Sequence, residues 1–145
     1  MAALDRFVEA QSRDYPSVVA EIRHGSKRSH WIWYIFPQIA GLGRSETARF
    51  YAVSTLSEAK AYLAHPLLGA RLRECVQLML DWQPERSVAT ILGELDAMKF
   101  RSSLTLFEAA GGGALFGRAI DGFFDGQRDR STLKILGQKP PSEQK

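Results

Sequence analysis

Residues 30–38 read His30-Trp31-Ile32-Trp33-Tyr34-Ile35-Phe36-Pro37-Gln38, and they hold two of the three tryptophans of this 145-residue chain. Aromatic side chains this dense form a core or line a pocket, because each ring buries a large area and the indole N–H and phenol O–H need partners. Ile32, Ile35 and Phe36 are predicted to be core. A continuous apolar run fits a strand and a buried helix equally well, and Pro37 is predicted to end it.

Helical periodicity extends through most of the remaining chain. The clearest apolar stripe recurs at i, i+4, i+7, i+11 and i+14 and consists of Leu68, Leu72, Cys75, Met79 and Trp82. Ser12 and Asp14 are predicted to break an N-terminal helix, with a second helix starting at Tyr15-Pro16. Three residues are predicted helix N-caps: Ser45, Ser57 and Asp129.

These patterns predict an all-α fold, a single irregular multihelical domain over residues 1–138 with an aromatic, Pro/Gly-rich loop segment. The helices are short and unequal in length, which disfavours a simple up-down bundle. Residues 139–145 are polar and contain Pro140-Pro141, so a disordered C-terminal tail is expected there.

Charge and cysteine content are those of an ordinary globular protein from a reducing compartment. The formal net charge is +3, and residues 128–145 account for that surplus. A nucleic-acid footprint needs a clustered basic face, so nucleic acid is not the expected partner. Cys75 is the single cysteine, which excludes an internal disulfide and favours the cytoplasm. No signal-like or membrane-spanning apolar stretch is present in the sequence, so no membrane partner is expected.

Six motifs occur in order along nearly the whole chain. They are Gly25-x-Lys27-x-Ser29-His30-Trp31-x-Trp33-Tyr34-x-Phe36-Pro37-Gln38, Gly41-Leu42-Gly43-x-Ser45, Glu58-Ala59-x-x-Tyr62-Leu63, His65-Pro66-x-Leu68-Gly69-x-Arg71-Leu72, Asp96-x-x-Lys99-Phe100-x-Ser102-Ser103-x-Thr105-Leu106-Phe107 and Gly126-x-x-Asp129-x-x-Thr132-Leu133. The set resembles domain-of-unknown-function family 1810, an uncharacterised bacterial group in which some members carry a calpastatin label. The resemblance implies an all-α fold of about this size and supplies no established activity. The calpastatin label receives little weight, because calpastatin inhibitors are disordered polar repeats and this chain is apolar and compact.

A second concentration of polar residues lies at 96–105. On a helix Asp96, Lys99 and Ser103 share one face at i, i+3 and i+7, and Ser102 is offset from it. One interpretation is a cluster that binds an anionic or sugar-like ligand, with Lys99 as a point charge and Asp96 as a general base. The other interpretation is a surface Asp–Lys pair with hydroxyls that cap or turn the chain. Spacing alone favours the second.

His30 is the other candidate for acid–base catalysis, since histidine changes its charge near neutral pH. A hydrogen-bonded structural role is the commoner one for a histidine beside tryptophans. No metal site is expected, because neither His24 nor His65 stands at metal-ligand spacing from another ligand. Gly41-Leu42-Gly43 lacks the lysine and the third glycine of nucleotide-binding loops. No cofactor is assigned.

We expect a pocket where residues 27–45 meet residues 96–105. Its expected ligand is a small polar or anionic molecule, because polar residues are concentrated in these two segments and a cationic lysine lies beside hydroxyls. A nucleotide or ADP-ribose derivative is suggested by analogy, since Asp96-x-x-Lys99-Phe100 is faintly similar to NAD- and ADP-ribose-processing domains. The predicted ligand-binding residues are Lys27, His30, Trp31, Gln38, Arg44, Ser45, Lys99, Ser102, Ser103 and Thr105.

Two other functions stay open, and the sequence leaves open whether the protein is an enzyme. The first is a non-catalytic protein–protein interaction module that docks its partner through the exposed part of the aromatic run. The second is a weak nucleic-acid binder, which requires one shared face for Lys27, Arg28, Arg44 and Arg49.

Overall fold

The aromatic run folds as one short buried helix, Ile32–Ile35, in the computed structural model, which describes residues 2–137. Its neighbours Trp31 and Phe36 are buried as well, and the centre of the Phe36 ring lies 4.5 Å from that of Phe100. The helix ends before Pro37, as the sequence predicts. Ile32, Ile35 and Phe36 are buried in the core, as the sequence predicts. Of the two conformations that the sequence left open, the run adopts the helix and not the strand.

Eight more helices complete the part of the chain that the structure describes. With Ile32–Ile35 as α2, they are α1 (Ala2–Arg23), α3 (Glu46–Phe50), α4 (Leu56–Ala64), α5 (Leu68–Leu80), α6 (Val88–Leu92), α7 (Glu94–Ala109), α8 (Ala114–Phe124) and α9 (Arg130–Leu136). Residues 2–137 contain no strand, and their β contact is an isolated parallel bridge between Ile39 and Val53. The prediction of one irregular all-α domain is confirmed.

Helix α1 is continuous, so the predicted break at Ser12 and Asp14 is wrong. Pro16 lies inside this 22-residue helix, where it removes one backbone donor. The side chains before and after it form one buried stripe, made of Leu4, Phe7, Gln11, Val18 and Ile22. Burying the four apolar members contributes about 1.5–3 kcal/mol each. That gain outweighs the roughly 3 kcal/mol that an interior proline costs.

Two of the three predicted helix caps are confirmed. The side chains of Ser45 and Asp129 each accept a hydrogen bond from an amide in the first turn of α3 and α9. The cap of α4 is Thr55 instead of Ser57, because the Thr55 hydroxyl accepts the free amide of the first turn. The tail expected at 139–145 lies outside the described residues.

Helix α7 is the centre of the fold and carries one wall of the candidate site. It contacts α2, α4, α6, α8 and α9, and it buries Phe100 and Phe107 completely. Gly93 joins it to α6 with a φ of +89°, a backbone conformation that strains residues with a β-carbon. This tight joint sets the first turn of α7 beside the loop that follows α1, where Lys27 donates its amide to the Ile91 carbonyl at 2.7 Å.

Candidate functional site

An open cleft of about 540 Å³ lies between the loop after α1 and the junction of α6 with α7. Residues 27–30 form one wall and residues 92–96 form the other. Three of the predicted site residues therefore meet here: Lys27, His30 and Asp96. A fourth, Lys99, lies outside the lining and forms an ion pair with Asp96.

The first wall is anchored where α1 ends. Gly25 ends the helix with a φ of +73°, and its carbonyl accepts a hydrogen bond from Arg86 Nη1 at 3.1 Å. The carbonyl of Ile22 accepts the indole N–H of Trp82 at 2.7 Å. A β-carbon at Gly25 would come within 2.9 Å of the Trp82 ring, so both the backbone angle and the close approach require glycine here.

Glu21 of α1 holds the same wall from beneath. Its Oε1 accepts the amides of Arg28 at 2.7 Å and Ser29 at 2.9 Å and the indole N–H of Trp31 at 2.9 Å, while Oε2 accepts the Ser29 hydroxyl at 2.6 Å. Burial alone would raise the pKa of Glu21, but these hydrogen bonds to the charged form outweigh it and lower the pKa to about 2. The carboxylate is therefore ionised at any physiological pH.

Asp96 in the second wall is shared by two lysines. Its Oδ2 lies 2.8 Å from Lys27 Nζ and its Oδ1 lies 3.3 Å from Lys99 Nζ. The Lys27 side chain is only 8% exposed, and its ammonium lies 5.2 Å from the centre of the Trp31 ring. Both carboxylate oxygens are therefore engaged in ion pairs, and each keeps a further lone pair.

The side chains of Arg28 and His30 are exposed at the cleft. Together with the two lysines they give the site three permanent cations and one imidazole. Two carboxylates oppose them, Asp96 and Glu94. The N-terminal end of a helix adds a partial positive charge, and here that end is the first turn of α7. The cleft therefore carries a small surplus of positive charge.

Several predicted ligand-binding residues lie outside the cleft lining. The Trp31 ring is buried beneath the first wall and donates its indole N–H to Glu21. Gln38 is half-buried, and its backbone carbonyl accepts the Val53 amide at 2.8 Å. Arg44 is exposed and Ser45 caps α3.

The predicted hydroxyl residues of α7 face the interior. Ser102 Oγ donates to Asp129 Oδ2 at 2.9 Å, and Thr105 Oγ1 accepts the Asp129 amide at 2.9 Å. Ser103 is also buried, and its hydroxyl has no protein partner. Ser102 and Thr105 thus join α7 to the start of α9.

Sequence reasoning missed three residues of this site. Arg28 stood out only as one cation among several beside the aromatic run, and Glu94 carried no motif. Glu21 lies on a predicted helix, and nothing in its spacing links it to residues 28–31. The only sequence signal for the contact between Glu21 and residues 28–31 is Gly25, because a chain reversal there brings the loop back against the end of α1.

Neither a metal-ligand cluster nor a membrane-spanning helix is found in residues 2–137. No group of three or more His, Cys, Asp or Glu side chains there is placed to hold a metal ion. No helix in that range combines the length and the apolar character needed to cross a bilayer.

The fold and the cleft together define a class of protein: a small all-α domain with a charged surface cleft. A family model described as "Protein of unknown function (DUF1810)" matches residues 1–136. The chain belongs to this family, which confirms the resemblance seen in its motifs.

A solved structure shares both sequence and fold with this chain. The chain is 45% identical to the conserved hypothetical protein Rv1873 from Mycobacterium tuberculosis, known from a crystal structure, with a TM-score of 0.90. The similarity covers 94% of this chain and 97% of that one. The comparison with curated proteins gave no match.

Proposed function

We propose that this protein binds a small anionic ligand of the nucleotide or ADP-ribose type in the cleft between residues 27–30 and 92–96. One observation carries the proposal: Lys27, Arg28 and His30 meet the N-terminal turn of α7 in one cleft. Its volume of about 540 Å³ lies within the range of small-molecule sites, roughly 300–1,000 Å³.

The cations of the cleft have different roles in this proposal. Arg28 is exposed, and its planar guanidinium can donate two parallel hydrogen bonds to a phosphate group. His30 adds an exposed imidazole N–H donor at the same wall. Lys27 and Lys99 stay bound to Asp96 and contribute a positive field at longer range. Catalytic roles for Asp96 and His30 stay predictions.

A protein–protein interaction module is the second candidate function. Its support is an exposed apolar pair at i and i+3 on α7, where Leu95 is 75% and Met98 is 59% exposed. Large apolar side chains that stand out beside a charged rim are typical of docking surfaces. The nucleic-acid alternative has weaker support, because Arg44 and Arg49 lie on the 41–50 segment and line no part of the cleft.

Isothermal titration calorimetry and thermal shift with pyrophosphate, AMP, ADP-ribose and NAD test the proposal. A ligand present at one hundred times its Kd should stabilise the fold by about 2.7 kcal/mol. Arg28→Ala should weaken binding at least tenfold, the loss expected when one charge-assisted contact is removed. Arg44→Ala removes an exposed cation outside the cleft and is the matched control.

Failure of all four probes to bind or stabilise the wild-type protein at millimolar concentration would overturn the proposal. Equal weakening by Arg28→Ala and Arg44→Ala would locate binding elsewhere. Loss of capture in a pull-down with a defined partner, caused only by substitutions at Leu95 or Met98, would favour the interaction module.

The compartment proposed for this binding protein is the bacterial cytoplasm. The support is its lone thiol, Cys75, which is buried, together with the bacterial character of the family it resembles. Fractionation of the native host should recover the protein with cytoplasmic markers, and recovery from the periplasm or the medium would contradict this placement.

A further inference from the structure

The carboxylate of Glu21 has all of its hydrogen-bond partners in one short stretch of chain. Its four donors belong to Arg28, Ser29 and Trp31, and residues 28 and 29 line the cleft. Glu21 itself does not line the cleft. Glu21 therefore holds the loop by hydrogen bonds from the side away from the cleft, and a ligand in the cleft would contact the loop and not Glu21.

The bonds to Glu21 determine which groups of the loop face a ligand. The amides of Arg28 and Ser29 point at the carboxylate, and the amide of Lys27 points at the Ile91 carbonyl. All three of these N–H groups are therefore used within the fold. The side chains of Arg28 and His30 are exposed instead.

We propose that Glu21 is the positioning residue of the cleft: it turns the loop amides inward and thereby holds the Arg28 and His30 side chains toward the ligand. This inference rests on the proposed function, because it concerns the same cleft. It also specifies the mode of recognition. The anion is bound by side-chain cations, and the backbone of residues 27–29 takes no direct part.

Glu21→Gln tests the inference, since it keeps the shape of the side chain but removes the charge and places an NH₂ among donors. The variant should bind pyrophosphate about tenfold more weakly than wild type, measured by calorimetry at a temperature where circular dichroism shows both proteins folded. The amides of Arg28 and Ser29 should exchange faster with solvent, and the Trp31 indole N–H resonance should move upfield. Glu9→Gln, on an exposed position of the same helix, is the control and should change none of these.

Trp31→Phe keeps the test decisive if Glu21→Gln does not fold. It removes one donor to Glu21 from a side chain that is buried beneath the wall, so a loss of pyrophosphate affinity, expected to be roughly threefold, cannot come from a lost ligand contact. Pyrophosphate binding by wild type with unchanged affinity in Glu21→Gln, or in Trp31→Phe where Glu21→Gln does not fold, would overturn the inference and leave the proposed function standing. No binding by wild type would overturn the proposed function, and the inference with it.

Discussion

Replacing Asp96 with alanine should destabilise the fold by about 2–3 kcal/mol, a value between the costs of breaking a buried and an exposed ion pair. The ion pair between Lys27 and Asp96 is intermediate in burial between these two cases. The Lys27 side chain is 8% exposed and that of Asp96 is 18% exposed, with 2.8 Å between Nζ and Oδ2. Loss of the carboxylate leaves the Lys27 ammonium partly desolvated with no anion within reach. For a chain of this size the loss corresponds to a decrease of roughly 6–9 °C in Tm.

Lys99→Ala is the matched control for this prediction, because Lys99 is the outer and more exposed partner of the same carboxylate. It should cost less than about 1 kcal/mol, as exposed ion pairs do. The double variant Lys27→Met with Asp96→Ala removes both charges and should be more stable than Asp96→Ala alone.

Urea denaturation of the wild type, the single variants Lys27→Met and Asp96→Ala, and the double variant gives the coupling energy between Lys27 and Asp96. We expect about 2 kcal/mol, with the pair stabilising. A coupling energy within error of zero would refute the reasoning, as would an Asp96→Ala variant no less stable than Lys99→Ala. Either result would mean that water already screens the ammonium of Lys27.

Three further predictions concern groups away from the cations of the cleft. Burial raises the pKa of the Cys75 thiol to about 12, so Ellman's reagent should not label the native protein at about pH 8 and should label it fully after unfolding in guanidinium chloride; rapid native labelling would contradict the burial. Glu21 has a folded-state pKa of about 2 against an ordinary value of 4.5, so its stabilising contribution is complete above pH 4.5 and is lost as the pH falls toward 2. In Glu21→Gln the free energy of unfolding should therefore lack this loss between pH 4.5 and 2. An identical dependence of stability on acidic pH in the wild type and the variant would disprove the lowered pKa of Glu21. Thr105→Val removes the acceptor of the partly buried Asp129 amide and should cost about 1–3 kcal/mol in urea, whereas Ser103→Ala removes a hydroxyl without a protein partner and should be nearly neutral; similar losses in the two variants would refute the distinction.

The sequence predicted the elements whose signals are local. Helix α5 follows from its apolar stripe, and the caps at Ser45 and Asp129 follow from their side-chain chemistry. The burial of Ile32 and Phe36 follows from the bulk of the aromatic run. The helical form of this run could not be predicted, because a short continuous apolar run shows no periodicity. Its packing against α1 and α7 could not be predicted either, because these are tertiary contacts.

The failures have tertiary causes as well. Pro16 and the small polar residues near it suggest a break, but the buried stripe on both sides of them keeps α1 continuous. The hydroxyls at Ser102 and Thr105 look like ligand donors by composition, yet Asp129, distant in sequence, occupies them. Lys27 and His30 are candidates as polar neighbours of the aromatic run, and Asp96 as a member of the polar cluster at 96–105; only the fold shows that the three share a cleft while Arg44 lies elsewhere.

The amide and side-chain NMR spectra of the protein during a titration with pyrophosphate provide the most direct test of the anion cleft. The account predicts that the largest shifts fall on residues 27–30 and 93–96, that the Arg28 guanidinium resonance moves with them, and that Arg28→Ala needs at least about tenfold more pyrophosphate to produce the same shifts. Shifts centred on another surface, or no shifts at millimolar pyrophosphate, would contradict it.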